Sequence, residues 1–204
     1  MSINFLQLED LDLGTSTVER THGNPVRTVY RDESNQRFIK IWDADYEWAP
    51  FFQRACEKNF YEGITSLSHI ILNKQGDYVG YITRATTGAV ASLKTAEDKG
   101  KTIILDAPEQ NKNYQLFFNK ILKKINETGL FFLDLTISNI GVVENNYYLF
   151  DLEAVFSWRD PVGNFSEAHD SPTSVTSVKK YLDFCPRDYA SFIYNKYKSL
   201  VGNE

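Results

Sequence analysis

The stretch LFFLDLTISNIGVVENNYYLFDLE, residues 130–153, carries the most informative polar side chains of the chain. It contains Asp134, then Asn139 five positions later and Asp151 another twelve positions on. Two short β-rich runs between Asn139 and Asp151 predict a tight hairpin. Taken singly, each of these residues is more often a turn or strand-end residue. Together, at the mouth of one hairpin, their side-chain oxygens can converge on a small volume.

A long amphipathic helix is predicted immediately before this stretch. Its apolar residues recur at spacings of three and four and form one unbroken stripe, namely Tyr114, Phe117, Phe118, Ile121, Leu122 and Ile125. Asp106-Ala-Pro-Glu109 supplies signals for a helix start, and Gly129 stands where a helix commonly ends. Further helical patterning follows the hairpin over residues 175–182 and 188–200.

The first half of the chain is predicted to be mainly β. Short β-rich runs between clusters of Gly, Pro, Asn and Asp predict strands over residues 17–21, 26–31, 37–42, 67–72 and 78–84. Between the third and fourth of these strands, residues 47–62 change to helical spacing, with Gly63 as the predicted stop. Residues 88–101 show no clear pattern. The sequence therefore predicts an α+β fold.

Composition narrows the class of protein. The chain has 204 residues, with 22 Lys and Arg against 27 Asp and Glu, and a formal net charge of −5, which argues against a nucleic-acid binder. No apolar run approaches the roughly 18 residues of a membrane helix, so we expect no membrane span. The first residues lack the pattern of a secretory signal, and we expect a cytoplasmic protein. The two cysteines, Cys56 and Cys185, have no metal-binding spacing.

The order of these motifs resembles the protein-kinase-like superfamily. That family has a catalytic loop H-R-D-L-x-x-x-N, two short strands and then D-F-G. The matching runs here are residues 134–139 and Asp151-Leu-Glu153. In the first half, Phe38-Ile-Lys40-Ile-Trp42 is similar to the family's V-A-I-K strand. The resemblance extends from about residue 16 to about residue 182.

The resemblance implies a two-lobed fold and a reaction. Residues 1–84 would form a small antiparallel β lobe with one helix, and residues 85–204 a shortened, mainly helical lobe. ATP would be the phosphoryl donor and Mg²⁺ the metal, and the γ-phosphoryl group would pass to a hydroxyl. The acceptor, a small molecule or a specialised protein, is left open.

The resemblance also implies roles for residues of the first half. Lys40 would pair the phosphates of the nucleotide, and Gly23 would lie in the hairpin that covers them. Glu57, on the helix after Lys40, would hold the lysine in place. Glu62, on the same predicted helix, stays open as the alternative partner.

Four residues of the second half receive roles in the same way. Asp134 would accept the proton of the substrate hydroxyl, while Asn139 and Asp151 would hold Mg²⁺. Glu153 would bind or orient a second metal ion. Oxygen ligands of this kind suit Mg²⁺.

The chain also departs from the family pattern. The His and Arg before the catalytic Asp are missing, the glycine-rich loop is reduced to His22-Gly-Asn-Pro25, and no A-P-E motif follows Asp151. These departures favour an alternative, a pseudokinase-type module that binds nucleotide or protein without efficient catalysis. A third hypothesis is an α+β interaction protein with no nucleotide site.

Overall fold

The computed structural model describes residues 3–22, 27–43, 45–84, 88–91, 103–104, 112–132, 135, 139–143, 145–153, 155–157 and 187–201. In chain order its elements are β1 (Asn4–Gln7), a 3-10 helix (Leu8–Asp10), β2 (Thr17–His22), β3 (Arg27–Asp32), β4 (Arg37–Trp42), α1 (Ala49–Glu57), β5 (Leu67–Leu72), β6 (Tyr78–Arg84), β7 (Gly88–Ala91), β8 (Ile103–Ile104), α2 (Lys112–Thr128), β9 (Leu130–Phe132), β10 (Ile140–Val143), β11 (Asn146–Leu149), β12 (Val155–Ser157) and α3 (Arg187–Val201). The predicted α+β class is confirmed.

The largest sheet has six strands in the order β1-β5-β6-β4-β3-β2. All neighbours are antiparallel except β1 and β5, which run parallel. The five strands predicted in the first half are confirmed, whereas β1 was not predicted. The N-terminal segment that contains β1 covers one face of the sheet. Its residues Leu6, Leu11 and Leu13 pack against a buried cluster that includes Ile39. Lys40, next along β4, therefore faces the other side, where the main core lies.

The turn between β3 and β4 is held by the buried carboxylate of Asp32. It accepts hydrogen bonds from Ser34 Oγ at 2.7 Å, Asn35 N at 3.1 Å and Arg37 Nε at 2.7 Å. Gln36 completes the turn with φ of 48°. Since this turn sets which residues of β3 and β4 face each other, it also determines what lies beside Lys40.

Gly80 allows β4 and β6 to approach closely. It pairs with Ile41 in the antiparallel register, and a Cβ added to it would collide with the carbonyl oxygen of Lys40. A side chain at this position would therefore push away the strand that carries the lysine. Its lack of a side chain is a requirement of strand packing, since its φ needs no left-handed backbone.

Helix α1 is shorter than the predicted span of residues 47–62. It ends at Glu57, and Asn59 adopts φ of 54°, which breaks the helical path. Phe60, Tyr61 and Ile64 are nonetheless fully buried, because the chain turns back on the helix end after Asn59. The apolar residues after Glu57 are buried in a turn, although their spacing resembles that of a helix. The predicted end of the helix at residue 62 was therefore wrong.

The second half forms two smaller sheets and two helices. One sheet has the order β11-β10-β7-β8, and the other pairs β12 with β9. The predicted β10–β11 hairpin is confirmed, with Asn145 at φ of 64° in its turn. Helix α2 buries Tyr114, Phe117, Ile121 and Ile125, as its stripe predicts. The predicted helix start over residues 106–109 and the patterning over 175–182 lie outside the described residues.

One large hydrophobic cluster takes side chains from both sides of the predicted lobe boundary at residue 84. Phe52 and Tyr61 belong to it together with Phe117, Phe132 and Tyr189. Main-chain contacts also cross between the halves, since Leu149 N donates to Ile64 O at 2.9 Å. Among the described helices, none is both long and apolar enough to cross a membrane.

Candidate functional site

Lys40 lies in the centre of the six-stranded sheet and ends between two carboxylates. Its Nζ donates a hydrogen bond to Asp151 Oδ1 at 2.6 Å. The same Nζ is 2.6 Å from Glu153 Oε1. The lysine side chain is only 9% exposed, so a counter-charge close by is needed to stabilise its ammonium. The structure thus brings together three residues singled out from the sequence, across 111 positions of chain.

The β10–β11 hairpin delivers Asp151 to the lysine. Phe150 N donates to Asn139 O at 3.2 Å, which closes the open end of the hairpin. The chain leaves this end directly into Asp151, and Tyr81 Oη donates to Phe150 O at 3.2 Å, which ties the exit to the large sheet. The main chain of Asn139 is therefore hydrogen-bonded to Phe150, the residue directly before Asp151. Asn139 is half-buried there.

Glu153 is the most deeply buried acid of the cluster, with 3% of its side chain exposed. Its Oε2 accepts from Leu152 N at 3.1 Å and from Tyr81 Oη at 3.3 Å. Burial raises the pKa of Glu153 above its ordinary value, and the nearby charge of Asp151 adds to this, while the positive charge of Lys40 opposes it. A carboxylate held in this way is a fixed partner of the lysine.

Asp151 behaves differently, since 36% of its side chain is exposed. Partial removal from water would by itself raise the pKa of Asp151, but the positive charge of Lys40 and the hydrogen bonds around it hold that pKa well below its usual range. Asp151 is therefore ionised near neutral pH. Of the two acids that contact Lys40, Asp151 is the one whose side chain is accessible to a further ligand.

Three residues whose side chains the sequence reasoning did not place beside Lys40 surround this cluster. Tyr81 is paired directly opposite Lys40 in β6, and the lysine Nζ lies 5.6 Å from the centre of its ring. Arg27, the first residue of β3, brings Nη1 to 3.9 Å from Glu153 Oε1. The same Nη1 donates to Tyr46 Oη at 2.9 Å. Tyr81 lies in the middle of a predicted strand. Knowledge of how that strand pairs with the strand of Lys40 would have placed Tyr81 beside the lysine.

The predicted pairing of Lys40 with Glu57 is wrong. Glu57 is exposed and accepts a hydrogen bond from Gln53 Nε2 at 2.9 Å. The buried face of α1 carries Phe52 and Ala55, and Glu57, two positions after Ala55, lies on the opposite side of the helix. The alternative is wrong as well.

The alternative partner, Glu62, lies beyond the end of α1. Its carboxylate is exposed and pairs with Lys124 at 3.3 Å. Among the described residues, Lys40 has acidic partners only from the segment after the hairpin, Asp151 and Glu153. The contact with Lys40 that was predicted for the helix glutamate is therefore made by acids from a different part of the chain.

Two candidate residues, Gly23 and Asp134, lie outside the described residues. Within the described residues, no group of three or more His, Cys, Asp and Glu side chains is arranged to hold a metal ion. Asp151 fits a Mg²⁺ ligand best, because it is ionised and partly exposed, and it directly follows Phe150, which is hydrogen-bonded to the Asn139 main chain. Glu153 fits less well, because Lys40, Tyr81 and Leu152 already surround its oxygens.

No protein-family model matches the chain, and no curated protein matches its sequence. Function is therefore inferred from the chemistry of the site.

Proposed function

We propose that the chain is a compact kinase-like phosphotransferase that uses ATP and Mg²⁺ to phosphorylate a hydroxyl group. The observation that carries this proposal is the 2.6 Å contact between Lys40 Nζ and Asp151 Oδ1. It joins a strand lysine of the first half to the acid that follows the hairpin of the second half. In a kinase-type site these two groups serve the nucleotide phosphates and the metal.

The order of the elements supports the same proposal. The antiparallel strands β2, β3 and β4 are followed in the chain by α1 and then by β5 and β6; α2 comes later, and the β10–β11 hairpin lies after it. Lys40 lies on the third strand of this series, β4, as the resemblance to protein kinases implies. We propose that residues 1–84 and 85–204 correspond to the two lobes of that fold, packed here on a shared core. We expect the protein to act in the cytoplasm, where ATP is available.

The residues of the site have distinct roles in the proposed reaction. Lys40 binds phosphate oxygens, and its contact with the buried Glu153 holds the ammonium in place. Asp151 and Asn139 would hold Mg²⁺, which would supply positive charge to neutralise the phosphates. Asp134 accepts the proton of the acceptor hydroxyl. Positioning and charge neutralisation dominate this chemistry, so rigidity of the lysine matters.

A second candidate function is a nucleotide-binding module without efficient catalysis. The observation that favours it is the position of Lys40 between two carboxylates, with Glu57 on the far side of α1. A phosphate that binds Lys40 must compete with Asp151. If that competition is unfavourable for transfer, nucleotide binding remains and turnover is lost.

The test combines binding with transfer. We expect ATP with Mg²⁺ to raise the melting temperature of the purified protein by mass action, and γ-labelled ATP to label a hydroxyl acceptor from a small-molecule panel. Asp151→Asn should abolish both the Mg²⁺ dependence and the transfer, whereas Asp10→Asn, at an exposed position, should change neither. Binding without transfer would select the second candidate. If ATP has no effect with or without Mg²⁺, both candidates are excluded.

A further inference from the structure

A second cation lies beside Lys40 and belongs to none of the roles given above. Arg27 is on β3, and the register pairs Val29 with Lys40 on β4. Because side chains alternate along a strand, Arg27 lies on the same face as Val29 and therefore on the same face as Lys40. The two cations meet at one atom, since Lys40 Nζ and Arg27 Nη1 lie 2.6 Å and 3.9 Å from Glu153 Oε1.

Among the more buried side chains of this cluster, positive charges outnumber negative charges. Lys40, Arg27 and Glu153 have side chains that are 9%, 26% and 3% exposed, and Asp151 is the most exposed member at 36%. The three more buried groups carry two positive charges against at most one negative charge. Asp151 supplies Lys40 with a second carboxylate, whereas the only acidic partner of Arg27 among the described residues is Glu153, which it shares with the lysine. A partly buried cation that shares its carboxylate in this way attracts a further anion, because a desolvated charge needs a partner.

The guanidinium of Arg27 also has donors to spare. It makes one hydrogen bond among the described residues, from Nη1 to Tyr46 Oη, and no described residue accepts a hydrogen bond from its buried Nε. A guanidinium has five donors in a planar fork that matches the oxygens of a phosphate, and a lysine adds a point charge. A guanidinium fork beside a lysine is therefore suited to the several oxygens of a phosphate chain.

We propose that Arg27 and Lys40 together bind the phosphate chain of the nucleotide, with Glu153 as the counter-ion that keeps both cations in place. The proposal rests on the nucleotide site proposed above and names a second phosphate-binding residue for it. Glu153 is a positioning residue in this arrangement. Arg27, directly after residues 23–26, extends the site from β4 toward the start of β3.

Binding of ATP, of inorganic tripolyphosphate and of adenosine, measured calorimetrically at one fixed free Mg²⁺ concentration, tests this assignment. Arg27→Gln should weaken ATP and tripolyphosphate at least about tenfold, because it removes a charge-assisted contact, and should leave adenosine unchanged. Arg31→Gln is the matched control: Arg31 lies on the same strand, and its ion pair with Glu33 is exposed, so the expected change is less than about twofold.

Arg27→Lys covers the case in which Arg27→Gln does not fold. It keeps the charge and loses the fork, so tripolyphosphate should bind about threefold more weakly than to the wild type. Unchanged affinity of either folded Arg27 variant would overturn the proposal while leaving the proposed function intact. A wild-type protein that binds neither ATP nor tripolyphosphate would overturn both. If ATP binding depends on Arg27 but no phosphoryl group is transferred to any acceptor, the phosphate site is supported and the phosphotransferase function is excluded.

Discussion

At the residue scale, the site depends on how one buried lysine is neutralised. Lys40 has two acidic partners that differ in accessibility, the buried Glu153 and the partly exposed Asp151. A buried ion pair adds little stability over an apolar pair, but removal of one partner leaves an uncompensated charge. The two acids therefore have different roles. Glu153 keeps the lysine in place, and Asp151 is accessible to a ligand.

We expect Lys40→Met to lower the free energy of unfolding by about 3 kcal/mol, because Glu153 then lacks its nearest cation. Glu153→Gln in the same protein should restore a large part of that loss. Urea denaturation of both single variants and of the double variant gives the coupling free energy. Lys120→Met, at an exposed position of α2, is the control and should change stability little. Additive effects of the two substitutions would show that the residues are not coupled.

Asp32 gives a pH-dependent prediction at the same scale. Hydrogen bonds from Asn35, Ser34 and Arg37 outweigh burial and hold the pKa of Asp32 well below its usual value of 3.8. A lowered folded-state pKa stabilises the protein above the unfolded-state pKa and ceases to do so as the pH falls through the folded-state value. Asp32 should therefore contribute fully near neutral pH and progressively less below about pH 4.

Urea denaturation at several pH values from neutrality down to about pH 2.5 checks this. Asp32→Asn should be less stable than the wild type near neutral pH, and the difference should narrow toward the acid end. Asp77→Asn, in the exposed turn between β5 and β6, is the control. If the difference in stability between Asp32→Asn and the wild type stays constant with pH, the charge of Asp32 does not stabilise the turn.

At the scale of single elements, strand packing positions the lysine. β4 lies between β3 and β6, so its register with both neighbours decides which side chains surround Lys40. Tyr81 comes from one neighbour and Arg27 from the other. Hairpin β10–β11 then brings Asp151 to the same place. A shift of one residue in β4 would exchange Lys40 for Ile39 on this face, so the site is as precise as the register.

Gly80→Ala tests that dependence on strand packing. The added methyl group meets the Lys40 carbonyl oxygen, and forcing β4 and β6 apart should lower the free energy of unfolding by about 1–3 kcal/mol. We also expect a clear loss of affinity for ATP. Gly76→Ala is a matched control, because its φ of 87° makes alanine unfavourable by about 1–2 kcal/mol while no described atom lies near the added Cβ. If both variants bind ATP equally, the strand spacing does not determine the site.

At the scale of the whole molecule, the two halves share one core and are joined at the site itself. Tyr61, in the turn after α1, donates from Oη to Leu152 O at 2.6 Å. Leu152 lies between the two acids that meet Lys40, so this buried hydrogen bond holds the segment after the hairpin against the first half. In the described residues, the geometry of the site therefore depends on packing between the two halves.

Tyr61→Phe should lower the free energy of unfolding by about 1–3 kcal/mol, because the buried Leu152 carbonyl loses its donor. It should also weaken ATP binding, since the segment carrying Asp151 and Glu153 becomes less firmly held. Tyr30→Phe, at a half-buried position of β3, is the control for removal of a tyrosine hydroxyl. Thermal unfolding with and without ATP measures both effects. A stability change with unaltered binding would separate the core from the site.

The sequence by itself determined the local structure. Alternating and helical spacings predicted β2 to β6, the β10–β11 hairpin and the stripe of α2, because these patterns depend on neighbours within a few residues. The resemblance of its motifs to those of protein kinases also singled out Lys40, Asp151 and Glu153 as residues of one site. The helical spacing misplaced the end of α1, because a turn after Asn59 buries apolar residues at spacings that resemble helix.

Only the tertiary structure decided which groups meet. Glu57 follows Lys40 at a plausible distance along the chain, yet Glu153, from the segment after the β10–β11 hairpin, lies against the lysine instead. Arg27 and Tyr81 entered the site through strand register, which the sequence does not state. The physical reason is range: periodicity reflects contacts close in sequence, while the charge balance of a buried site depends on side chains that chain folding brings together from distant strands.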